Sequence, residues 1–174
     1  AHSIVQKLNE EQVADTAASD EEAVLENKIA EYDAFLTKQD PAFTVEELEE
    51  AMQKVMDQYA GGIGTHYQFN EKQLAMAEEK IKKLQILAKG LAAADMHELM
   101  FIYELKERLT VCLTVIAHLR ARKETRWHSF AENLDYPEKS DAWLCYVNSK
   151  KNGDQITMIR RDLVKGGETY EHRD

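Results

Sequence analysis

The stretch DMHELMFIYELKERLTVCLTVIAHLRA, residues 95–121, decides the fold. Asp95 and Glu98 stand three apart at its start, the spacing at which side chains satisfy the free amides of a helix N-terminus. No glycine or proline interrupts the run from there to Ala121, so the spacing predicts one helix of about 27 residues, roughly 40 Å long at 1.5 Å per residue. Leu99, Met100, Ile102, Leu105, Leu109, Val111, Leu113, Val115, Ile116 and Leu119 point to almost every side of it. A helix that is apolar all round is a buried one. It is expected to be the central member of an antiparallel bundle. So much apolar surface exceeds what a small bundle covers, which calls for a further covering partner.

Working outward, three amphipathic segments precede this helix. Asn70 and Gln73 open one whose stripe is Leu74, Ala77, Ile81, Leu84, Ala88 and Leu91, with Glu78, Glu79, Lys80, Lys82 and Lys83 toward water. Thr44 and Glu47 form a capping box for another, with Leu48, Met52, Val55 and Tyr59 as its stripe and Gly61-Gly62 as its stop. Ser19 and Glu22 have the same capping spacing ahead of Leu25, Ile29, Tyr32 and Leu36, and this first helix is expected to stop near Asp40-Pro41. After Trp127 the pattern changes. Trp143–Val147 and Gln155–Ile159 read as strands, and Lys151-Asn152-Gly153-Asp154 as the turn between them, Asn-Gly being the hairpin signal. The expected architecture is mainly α: an antiparallel bundle of three to four helices with a small C-terminal β-hairpin and an extended tail. Residues 1–17 read as a weakly ordered segment, 18–130 as the bundle and 131–174 as the tail with its hairpin.

The bulk composition excludes more than it identifies. With 174 residues, 44% hydrophobic and 31% charged, the chain suits one domain and can bury a core. No run approaches the roughly 20 apolar residues of a membrane-spanning helix. Ala1-His2-Ser3-Ile4 carries neither an initiator methionine nor a signal pattern and reads as a cut or processed end. The net charge of −10 is concentrated in the first third, which argues against a nucleic-acid ligand there. That acidic stretch is either a solvated helix face or a docking surface for a basic partner. Cys112 and Cys145 have no CxxC spacing and point to neither a disulfide framework nor a zinc site, so a reducing cytoplasm is the simplest compartment.

Three features could carry chemistry. Six histidines include none at metal-ligand spacing; His97-Glu98 lacks the second histidine of a zinc helix. Gly61-Gly62-Ile63-Gly64-Thr65 looks like a phosphate loop, but it follows a helix rather than a strand and lacks the Lys-Ser/Thr pair, so it reads as a cap and a close backbone crossing. The cations Arg120, Arg122, Lys123 and Arg126 have two readings. They complement the dipole of the long helix, or they grip a neighbouring domain with Glu124 and Asp135 as counter-charges. No catalytic triad, activated cysteine or paired carboxylate is discernible.

Several short runs, in order, carry a family likeness: Met52-Gln53-Lys54-Val55-Met56, Tyr59-Ala60-Gly61-Gly62, Asn70-Glu71, His97-Glu98-Leu99-Met100, Tyr103-Glu104-Leu105, Arg108-Leu109, Arg122-Lys123-Glu124-Thr125-Arg126-Trp127 and Tyr146-Val147-Asn148-Ser149. From the second helix onward the chain resembles the C-terminal region of flavoprotein subunits of the succinate dehydrogenase/fumarate reductase superfamily, most of all the adenylylsulfate reductase alpha type. The resemblance implies an FAD-dependent oxidoreductase as parent, with this piece as its structural C-terminal domain. It implies no catalytic, cofactor or metal residue in this chain, since FAD and substrate are held by earlier domains. The implied partners are the FAD-binding and capping domains of the same polypeptide, and an iron-sulfur subunit. Arg122, Glu124, Arg126, Trp127 and Asp135 are the candidate interdomain contacts. Trp127-His128-Ser129-Phe130 departs both from the Trp-Pro-Gly-aromatic run of adenylylsulfate reductases and from the Ser-Arg-Gly of succinate dehydrogenases, which leaves the parent's substrate open. The alternatives are a stand-alone acidic helical interaction module and, last, a small metalloenzyme.

Overall fold

The computed structural model describes residues 18–153 and 155–164. Four helices follow one another: α1 (Ala18–Leu36), α2 (Val45–Tyr59), α3 (Glu71–Ala88) and α4 (Met96–Ala121). Two short strands, β1 (Gln68–Phe69) and β2 (Glu132–Asn133), pair in parallel; β3 (Cys145–Asn152) and β4 (Gln155–Asp162) form an antiparallel hairpin. The expected first segment, residues 1–17, and the tail beyond 164 lie outside the described residues.

Helix starts form where local chemistry supplies the missing acceptors. The Thr44 hydroxyl accepts from the Glu47 amide at 3.2 Å and the Glu47 carboxylate accepts from the Thr44 amide at 2.9 Å, a complete capping box. Asn70 Oδ1 accepts from the Gln73 amide at 2.8 Å. Asp95 Oδ1 takes the amides of His97 and Glu98, both at 2.9 Å, while the Glu98 carboxylate reaches back to the Ala94 amide at 2.7 Å. At the first helix the expected cap is not the start: α1 already contains Ala18, so Ser19 is inside it, and the helix ends at Leu36 rather than Asp40.

Helix α4 is the hub, packing on α1, α2, α3 and the hairpin. Leu99, Ile102, Leu105, Leu109 and Ile116 meet Leu74, Ala77, Ile81 and Leu91 in the core, each at most 2% exposed. Two expectations need correction. Helix α4 is not buried on every side, for Met100, Val111 and Val115 are 41–60% exposed. Among the described residues of α1, Phe35, Tyr32 and Leu36 reach the core; Leu25 and Ile29 have the right period but stand 61% and 49% exposed. An ion-pair cluster fastens that end of α1 instead: Glu31 accepts from Lys28 at 2.7 Å and from Lys106 of α4, and both ammoniums lie over the Tyr103 ring. In the hairpin, Asn152 pairs with Gln155, so the strands run longer than expected and Gly153, at φ 58°, opens the connection. Among the described residues, no helix is long and apolar enough to cross a membrane.

Candidate functional site

Helix α4 ends because Arg122 turns extended, at φ −85° and ψ 109°. The next residues are buried although polar: Glu124 is 4% and Thr125 1% exposed. A buried carboxylate must be paired and hydrogen-bonded to persist as a charge. Glu124 receives Arg122 Nη1 at 2.6 Å, Arg126 Nε and Nη2 at 2.8 and 2.9 Å, and the Ser140 amide at 3.0 Å. Burial pushes its carboxyl up, but Arg126, the Ser140 amide and Arg122 outweigh that and hold it at about 2. The same guanidiniums fasten the chain beyond: Arg122 donates to the carbonyls of Trp143 at 2.9 Å and Cys145 at 3.1 Å, and Arg126 to that of Ser140 at 3.1 Å. Glu124 therefore anchors the end of α4 to the root of the hairpin.

Thr125 ties in the other side. Its hydroxyl accepts from the Asn133 amide at 2.9 Å and donates toward the Tyr136 carbonyl at 2.9 Å. Asn133 is itself 4% exposed, and it lies in the β1–β2 pair that joins this turn to the loop after α2. The Asp135 carboxylate accepts the Glu71 amide at 2.7 Å, filling an amide of the α3 start that Asn70 leaves free. Glu71 in turn takes Arg120 at 2.5 and 2.8 Å and Lys123 at 3.6 Å, and Arg120 also binds Glu78. So the cations at the end of α4 serve carboxylates and carbonyls of other segments, beyond any role toward their own helix dipole.

Of the five residues singled out from the sequence, Arg122, Glu124 and Arg126 form one cluster, and Asp135 belongs to the adjoining turn. Trp127 differs: it is 69% exposed on the turn that the others fix. Phe130 beside it is 74% exposed and touches Tyr67, with ring centroids 6.5 Å apart. His66, Tyr67 and Ser129 all hold left-handed backbone, at φ 54°, 63° and 68°. Such conformations are unfavourable for residues other than glycine. They are pinned here by Tyr67 N to Gly62 O, Glu132 N to Tyr67 O and Ser129 N to Glu132 Oε1, each 2.9 Å. The result is a fixed turn that presents an aromatic patch. Thr125, Asn133, Ser140 and the Tyr67–Phe130 contact escape a reading by periodicity, because three uncharged polar residues amid conspicuous charges carry no spacing signal.

The glycine loop holds no room for a phosphate. The Gly64 amide donates to Asp57 Oδ1 at 2.9 Å, and a Cβ on Gly62 would lie 2.4 Å from Asp57 Cα. A carboxylate already fills the place an anion would take. Among the described residues no three His, Cys, Asp or Glu side chains gather as metal ligands could, and Cys112 and Cys145 are free thiols.

Residues 49–168 match the model of the fumarate reductase flavoprotein C-terminal family. The chain is 34% identical over 98 residues to the adenylylsulfate reductase subunit alpha of Megalodesulfovibrio gigas, covering 56% of this chain and 15% of that protein. Adenylylsulfate reductase from Archaeoglobus fulgidus superposes with a TM-score of 0.76 at 30% identity, over 89% of this chain and 26% of that one. E. coli quinol fumarate reductase shares the fold, with a TM-score of 0.70 at 18% identity over 92% of this chain and 28% of that one. The chain thus spans a minor part of each relative's length. It belongs to the fumarate reductase flavoprotein C-terminal family, the C-terminal domain of FAD-dependent flavoprotein subunits.

Proposed function

We propose that this chain is the structural C-terminal domain of an FAD-dependent oxidoreductase subunit of the fumarate reductase, succinate dehydrogenase and adenylylsulfate reductase kind. It packs on the flavin domain of its own polypeptide and contributes no active site. The observation that carries this reading is the family match over residues 49–168, which takes in the whole Glu124 cluster and the turn it fixes. Arg122, Glu124, Arg126 and Asp135 serve the interdomain contact by shaping the turn, and Trp127 by touching the neighbour. The exposed Trp127 and Phe130 support this, since aromatic side chains on a rigid turn lose little entropy on docking. FAD is then bound by the preceding domains, an iron-sulfur subunit is the electron partner, and two unpaired cysteines suit a cytoplasmic setting.

The test is a titration of the purified chain with FAD, read by flavin fluorescence. No binding is expected, and micromolar affinity would overturn the proposal. A second reading, an interaction module using its acidic first helices, is favoured by the exposed Val24, Leu25 and Ile29 on α1. An antibody against this chain separates the two: the flavoprotein reading expects a native polypeptide several times larger than 20.0 kDa.

A further inference from the structure

The cations that stand out in the sequence are not where unneutralised positive charge lies. Arg120, Arg122, Lys123 and Arg126 are all paired within the chain. A groove of about 940 Å³ runs between α1, α3, α4 and the hairpin tip, and among the described residues Lys82, Lys89, Lys106, Lys150 and Lys151 border it against one carboxylate, Glu31. Glu31 holds Lys106, and Glu78 holds Lys82 at 2.5 Å. Among the described residues, Lys89, Lys150 and Lys151 have no acidic partner. In a chain of net charge −10, this groove is a local reversal of sign. Its walls also carry apolar surface: Phe35, Ile86, Leu113 and Ile156 line it, and Ile86, outside the covered inner stripe of α3, is 67% exposed.

We propose that this groove docks an acidic polypeptide segment bearing at least one apolar side chain. Charge complementarity selects an acidic occupant. The arrangement selects a polypeptide over a small anion. Lys89 and Lys151 are exposed and stand on separate elements, at the end of α3 and on β3, and Lys150 lies next to Lys151 on the alternate face of the strand, so the three do not converge on one desolvated point as a phosphate site does. Carboxylates spaced along an extended segment reach them in turn. Lys151 pairs across the hairpin with Ile156, which sets a cation beside an apolar contact on one face. An apolar side chain of the segment then covers Ile86 and Ile156 while its acidic neighbours meet the lysines. The groove and its charge are properties of this chain alone and do not depend on the flavoprotein reading.

The experiment uses a fluorescein-labelled synthetic peptide of glutamates with one central leucine, titrated with the purified chain at low salt. Anisotropy is expected to report binding that weakens at least about tenfold in the K89E/K150E/K151E variant, and that weakens strongly as salt shortens the screening length. The charge-neutral K89Q/K150Q/K151Q variant is expected to lose part of the affinity with an unchanged melting temperature, which separates lost docking from lost folding. Lys54→Glu, on an exposed turn of α2 outside the groove lining, is expected to bind as the unmodified chain does. Three results would overturn the proposal: no binding by the unmodified chain at low salt, equal binding by the triple charge reversal, or displacement of the peptide by an equimolar amount of inorganic phosphate, which would make this a small-anion site.

Discussion

Glu124 and Arg126 form a two-point ion pair, with Nε and Nη2 at 2.8 and 2.9 Å from the two carboxylate oxygens, and the glutamate side chain is wholly covered. Removing one partner of such a pair leaves the other charge without compensation where solvent reaches it only in part. Arg122 would remain beside Arg126, so two guanidiniums would face each other. Glu124→Ala is expected to cost about 3 kcal/mol, and Arg126→Lys less, because an ammonium keeps the charge and loses the fork. Urea unfolding measures both. A loss under about 1 kcal/mol in Glu124→Ala would show that the hairpin root is held by other contacts.

The same carboxylate sets an acid dependence. Held at about 2 in the fold against an ordinary 4.5, Glu124 stays ionised when the unfolded chain has already taken up its proton. Its contribution is therefore complete above about pH 4.5 and is lost as pH falls toward about 2. Glu31, held at about 2 by hydrogen bonds from Lys106 and Lys28, adds to the same window with more exposure and less weight. Urea midpoints are expected to stay level from neutral pH down to about 5 and then fall. In Glu124→Gln the fall should be shallower; an identical slope would remove Glu124 from the acid transition.

What could be read in advance separates by distance along the chain. Thr44 with Glu47, Asn70 with Gln73 and Asp95 with Glu98 each act within one helical turn, so their residue types suffice. The apolar periods of α2 and α3 likewise point at the core, whereas α4 reads as apolar on almost every side and only part of that surface is covered. For Leu25 and Ile29 the period marks a face of α1, but a period cannot say whether anything covers that face. The candidate site is legible only as a cluster of charges. Glu124 is completed by Ser140, and Arg122 by Trp143 and Cys145, partners placed by the tertiary course of the turn. Thr125 and Asn133 are invisible to pattern because their hydrogen bonds are what make that turn.

Ile102 is 0% exposed in the N-terminal half of α4. Ile102→Ala removes apolar contacts and leaves a cavity, for an expected loss of about 2–5 kcal/mol. Leu109→Asp, also at a fully covered position, is expected to abolish cooperative unfolding, because its carboxylate has neither solvent nor partner. Circular dichroism against temperature reads both, and an unchanged melt in Leu109→Asp would show that α4 is not central.

Gly62 is expected to refuse even a methyl group. The added Cβ would stand 2.4 Å from Asp57 Cα and 2.9 Å from its carbonyl oxygen, both backbone atoms that cannot rotate away. Gly62→Ala should cost about 1–3 kcal/mol. Gly153, where a Cβ meets nothing within 4 Å but φ is 58°, should suffer only the smaller conformational penalty on the same change. Comparing the two melts separates crowding from backbone strain; equal losses would mean that Asp57 yields.

Trp127 provides the test in which folding and docking part company. Its side chain is 69% exposed, and its surroundings are fixed by Glu124, Thr125 and Asp135 rather than by the indole. Trp127→Ala is accordingly expected to change the stability of the isolated chain by no more than about 0.5 kcal/mol. If Trp127 has the proposed interdomain role, the same change in the larger polypeptide should loosen the domain contact, because a buried aromatic anchor carries a large share of an interface's energy. Limited proteolysis at the domain boundary measures this directly: cleavage should accelerate in Trp127→Ala while the melt of the isolated chain stays in place. If both stay in place, Trp127 is a surface residue in the assembled protein too, and the interdomain contact lies on another face of the bundle.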